Sequence, residues 1–109
     1  MSTRHLVLVL TEPTEGNEAR FNDYYENTHL REVIATTGFD SAERFKLVAE
    51  LGEGAPLPYL AVYETHGDSA EEILQDLGAR RQEREQSDAL NKRTGRVWVY
   101  EATGDKHSR

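Results

Sequence analysis

Cysteine is absent from this 109-residue chain, and methionine and tryptophan occur once each. Without thiols there are no disulfides, no zinc–thiolate or iron–sulfur sites and no cysteine nucleophile. Long apolar runs are missing too. The longest near the N-terminus, Leu6 to Leu10, is too short for a signal-peptide core or a membrane span, so a cytoplasmic protein with no membrane partner is expected. Positive charge is scarce: Lys+Arg 13 against Asp+Glu 20 gives a formal net charge of −7. Nucleic-acid binding draws on clustered Lys and Arg, so a nucleic-acid partner is not expected either. Glycine-rich phosphate loops and nucleophile elbows are lacking. His5, His66 and His107 show no metal-ligand spacing, and Glu26-Asn-Thr-His29 is a single copy of a motif that di-iron bundles need twice, so no metal is expected.

What is present has the pattern of one α+β domain. The β-rich run Leu6–Leu10 predicts a strand over about residues 4 to 11, ended by Pro13. Asn17 is a candidate N-cap for a helix in which Phe21, Tyr24, Tyr25, Thr28 and His29 recur at spacings of three and four. At about 100° per residue the stripe holds to His29 and fails at Leu30. A bend or restart is therefore expected there, with Leu30, Val33 and Ile34 packing a second piece that stops at Gly38. Alternation over Asp40–Val48 sets Phe45 and Leu47 opposite Ala42, Arg44 and Lys46, as in a second strand. A Gly/Pro-punctuated loop leads to a third strand at Tyr59–Glu64. The capping box Ser69-Ala-Glu-Glu72 opens a helix over 69–86, with the charged stretch from Arg80 as its solvated end, and Arg96–Glu101 is a fourth strand.

The order β-α-β-β-α-β is the ferredoxin-like arrangement: a four-stranded antiparallel sheet with two helices on one face. Residues 1–103 are expected to form this domain and residues 104–109 a flexible tail. Leu60, Val62, Val97 and Val99 are assigned to the helix side, and Tyr59, Ala61, Tyr63, Trp98 and Tyr100 to the open side. The expected core is Val7 or Leu8, Phe45, Val62, Ile73, Leu77 and Val99. An aromatic open face needs a cover, and a second copy of the chain supplies one symmetrically.

The run Phe21-Asn-Asp-Tyr-Tyr-Glu-Asn-Thr-His29, with Gly38-Phe39, Ser41-Ala-Glu-Arg44-Phe45 and Tyr59-Leu-Ala-Val-Tyr63-Glu64, resembles the dimeric α+β barrel superfamily, and within it the EthD-like (ethyl tert-butyl ether degradation) family. The resemblance implies a homodimeric barrel with a ligand cavity between sheet and helices. Its members include polyketide cyclases, lactone isomerases, decarboxylases and monooxygenases. Relatives commonly carry tryptophan where Tyr24 stands, which implies a more polar pocket here.

His29 and Tyr25 are the candidate catalytic residues. Imidazole can take a proton from carbon or oxygen and return it elsewhere without a cofactor. Read without the resemblance, His29 is a helix-terminal histidine facing carbonyl ends. Tyr24, Tyr25 and Tyr63 are candidate donors to an enolate oxygen and Arg44 a candidate partner for a carboxylate or phenolate. Trp98 is expected in the cavity wall. The expected function is a cofactor-independent cyclase, isomerase, decarboxylase or lyase acting on an aromatic or polyketide-like carbonyl compound as small-molecule substrate. The alternatives are a haem- or oxygen-dependent monooxygenase with His29 as axial ligand, and a non-catalytic binding dimer.

Overall fold

Leucine and valine fill the middle of β1 (Thr3–Thr11), the first element of a computed structural model that describes residues 3–109. Pro13, with no N–H to donate, makes only an isolated bridge to Leu90. The chain turns at Gly16, whose φ of 77° lies in the left-handed region that glycine adopts without strain. Helix α1 (Glu18–Tyr24) then begins from Asn17. That residue holds the expected N-cap position without capping through its side chain, which donates to Thr14 Oγ1 at 2.8 Å and accepts from Arg20 at 2.9 Å. A π-helical turn (Tyr25–His29) follows, closed by the Leu30 N–H on the Tyr25 carbonyl, and α2 (Leu30–Thr36) continues from it. The break expected near His29 is therefore a change of helix type within one continuous segment.

Strands β2 (Ser41–Lys46) and β3 (Tyr59–Gly67), helix α3 (Ala70–Ala79), a 3-10 turn (Arg81–Glu83) and β4 (Arg96–Glu101) complete the order. Ser69 caps α3 by accepting the Glu72 N–H at 3.2 Å, as the capping box predicts. The sheet runs β2-β3-β1-β4 with every pair antiparallel, a four-stranded α+β fold of ferredoxin-like arrangement. Beyond Glu101 the chain is exposed and carries no regular secondary structure.

Register fixes the two faces and corrects the phase of β2 and β3. Val7 pairs with Tyr63 and Val99, Val9 with Ala61 and Val97, and Thr11 with Tyr59, so these residues share one face. That face is the helix side, because Tyr59, Ala61 and Tyr63 belong to the buried cluster with Phe21, Tyr25 and Val33. Tyr59 and Tyr63 are thus core residues and not open-face ones. Val62 and Phe45, expected in the core, lie on the opposite side with Leu8, Leu60 and Trp98. Phe45 is 47% exposed. The physical reason is that β3 is apolar on both sides, so its alternation has no polar face to set the phase, and the aromatic stripe of α1 selects the tyrosine side.

Helix α3 is also shorter than the expected 69–86. Apolar positions end at Leu77, Gly78 weakens the last turn, and Arg80 leaves helical geometry while its guanidinium grips Glu83 at 2.6 and 2.7 Å. What the charge pattern marks as a solvated helix end is a strap, residues 80–95, laid over the helices and β1. It is tied down by Glu85 N–H to Glu32 Oε1 (2.8 Å), Thr14 N–H to the Ala89 carbonyl (2.7 Å) and Asn91 N–H to the Glu12 carbonyl (3.0 Å).

Candidate functional site

Between the helix side of the sheet, the π-turn and the strap lies a cavity of about 250 Å³. The sheet contributes Val9, Thr11, Tyr63 and Val97; the helical segment Tyr24, Tyr25, His29 and Val33; the strap Arg84, Gln86 and Leu90. In an ideal α-helix, residues five apart would point about 140° away from each other. The wider π-turn instead brings Tyr24 and His29 together, with their rings stacked at 5.0 Å and the Tyr24 hydroxyl 2.9 Å from His29 Nδ1. Tyr25 meets the same imidazole edge-on at 4.9 Å.

The hydrogen bonds of Tyr24 define the tautomer of His29. The Tyr24 hydroxyl has one proton and donates it to the Glu85 carbonyl at 2.8 Å, since a carbonyl can only accept. Its contact with His29 is then a hydrogen bond only if Nδ1 carries the proton and Tyr24 accepts. Nε2 is left with its lone pair and has no partner among the described residues. Burial, helped by the nearby Arg84 cation and opposed by Glu32, lowers the His29 pKa from the ordinary 6.5 to about 4. At neutral pH the side chain is a neutral imidazole and an acceptor at Nε2.

The tyrosines stay protonated. Burial, with Tyr25 beside it, pushes Tyr24 up to about 12. Burial also raises Tyr25, against a hydrogen bond with the Thr11 side chain and the charge of Arg44. Tyr63 is raised by burial first and by Tyr25 next. It is 1% exposed, and no hydrogen bond engages its hydroxyl among the described residues.

Of the residues singled out from sequence, Tyr24, Tyr25, His29 and Tyr63 meet in this cavity, whereas Arg44 and Trp98 do not line it. Arg44 is on the helix side but one strand outward. Its guanidinium lies 4.7 Å from the Tyr25 ring centroid and 5.0 Å from that of Tyr59, while Nη2 donates to Asn22 Oδ1 at 2.9 Å. Trp98 is on the open sheet face, 40% exposed. Arg84 is the site residue that sequence reading passes over. It lies in a run of charges that looks like a solvated surface, and only its tertiary hydrogen bond to Thr36 shows that it turns inward. Among the described residues no cluster of His, Asp and Glu could hold a metal ion. Among the described residues no helix is long and apolar enough to cross a membrane.

Comparison with protein-family models, curated proteins and solved structures found no match, so the reading of the site rests on its geometry.

Proposed function

We propose that the protein is a small homodimeric acid–base enzyme that moves a proton on a carbonyl compound, as in isomerisation, cyclisation or decarboxylation, without a cofactor. His29 Nε2 takes a proton from the carbon beside the carbonyl, and the C–H electron pair passes to the carbonyl oxygen as an enolate. The Tyr63 hydroxyl donates a hydrogen bond to that oxygen. The imidazolium, held through Nδ1–H by Tyr24, returns the proton to another atom of the substrate, so the catalyst ends as it began. The observation that carries this reading is the Glu85–Tyr24–His29 chain, which orients a half-buried neutral imidazole with Nε2 unengaged. It agrees with the role that the resemblance to EthD-like proteins implies for His29.

A void of roughly 150 Å³ holds benzene, so the cavity of about 250 Å³ has room for one substituted ring.

Deuterium incorporation from D2O into a panel of 1,3-dicarbonyl compounds, followed by NMR, tests the proposal. The wild-type chain should accelerate exchange of at least one of them. His29→Gln should lose roughly 10²–10⁴ of that rate with its thermal midpoint nearly unchanged. A His29→Gln variant that exchanges at the wild-type rate, or a wild-type chain no faster than free imidazole across the panel, would overturn the assignment in favour of a binding protein.

A further inference from the structure

Arg84 is 7% exposed and lies at the start of the extended part of the strap. Its Nε donates to Thr36 Oγ1 at 2.6 Å, and the Thr36 hydroxyl donates onward to the Glu32 carbonyl at 2.7 Å, so α2 aims the guanidinium. Nη2 is buried and has no hydrogen-bond partner. Among the described residues no carboxylate stands within ion-pair distance of Arg84. Asp76 and Glu32, whose charges reach it, are each engaged with a backbone N–H, of Gly38 and Glu85 respectively. A guanidinium cannot shed its proton, and a buried cation without a counter-ion destabilises the fold that holds it. In a chain of net charge −7, the cavity wall nevertheless carries Arg81, Arg84 and Lys92 and no aspartate or glutamate.

We propose that the cavity takes a small carboxylic acid of about one ring, its carboxylate paired with the guanidinium of Arg84 in the cavity wall and its carbonyl end presented to His29 and Tyr63. The planar fork of arginine matches a carboxylate, at N–O distances of about 2.7–2.9 Å. This deepens the acid–base reading, and rests on it for what happens at the far end of the ligand. The pairing also prepares the base. His29 is faced by Tyr24 and Tyr25 from its own segment, by Glu32 from α2, and across the cavity by Arg81, Arg84 and Lys92. Arg84 is the charge among these that holds its basicity down, and a bound carboxylate offsets it as the substrate arrives.

The probes are benzoate and its neutral isostere benzamide, titrated at pH 7 into the full wild-type chain, Arg84→Met and His29→Gln, with NMR shifts and thermal midpoints recorded. Wild type should bind benzoate at least tenfold more tightly than benzamide, and benzoate should raise the pH at which His29 titrates. Arg84→Met should lose the preference while its own midpoint, free of the uncompensated charge, stays level or rises. Arg84→Gln carries the same comparison if the methionine variant does not fold. His29→Gln should keep the benzoate preference. Equal affinity for the two probes, or a preference that survives loss of Arg84, would overturn the proposal. Benzoate preference without catalysed deuterium exchange would count against the acid–base reading alone, and catalysed exchange without the preference against this inference alone.

Discussion

His29 shows how one side chain acquires its chemistry from neighbours far away in sequence. Its type and place were legible: a histidine one turn after Tyr25, at the edge where an aromatic stripe fails. Its protonation state was not, because burial and the nearby Arg84 set it, and Arg84 reaches it from the strap. The consequence for stability can be measured. The folded pKa of about 4 lies below the ordinary 6.5, so between these values the unfolded chain binds more protons than the folded one. The contribution of a neutral His29 is fully present above about pH 6.5 and is lost as pH falls toward 4. The thermal midpoint of wild type should therefore fall more steeply than that of His29→Gln across this window. Parallel curves would mean that His29 titrates like an exposed histidine. Arg44 illustrates the opposite limit. A cation on a strand suggested a ligand partner, but the rings of Phe21, Tyr25 and Tyr59 already surround it, a structural cation–π arrangement that spacing cannot reveal.

Elements were legible where polarity and start signals were strong. Strand β4 has the expected bounds, and Ser69 caps α3 as its motif requires. The phase of β3 was not legible because Leu60 and Val62 are as apolar as Tyr59 and Tyr63, and its pairing partners decide the matter. The π-turn escaped for a related reason: a helical wheel assumes uniform rotation, and one wider turn shifts everything beyond it. Helix α3 anchors through Ile73, 4% exposed, whereas Leu77 is only partly buried and faces the cavity. Ile73→Ala should cost about 2–5 kcal/mol, and Leu77→Ala less than that, in denaturant melts of the two variants. A larger loss at Leu77 would show that the cavity end of α3, not its middle, holds the helix to the sheet.

At the scale of the whole molecule, the helices leave one sheet face bare. Phe45, Trp98 and Tyr100 are 47%, 40% and 54% exposed on it, beside Leu6, Leu8, Leu60 and Val62. A contiguous apolar face of this kind marks an interaction surface. Light scattering at micromolar concentration should give twice 12.4 kDa for wild type and move toward one chain for Trp98→Glu. A wild-type mass of 12.4 kDa would remove the homodimer from the proposal. The opposite face of the sheet depends on assembly within the chain. β1 and β3, the π-turn and the strap close together on one cavity, and the strap holds His29 in a single tautomer through Tyr24 and Glu85. A long-range 1H–15N NMR spectrum of the His29 ring between pH 3 and 8 tests this most directly. The expected result is a neutral imidazole protonated at Nδ1 down to about pH 5, with a midpoint near 4. A midpoint near 6.5, or a proton on Nε2 at neutral pH, would contradict it.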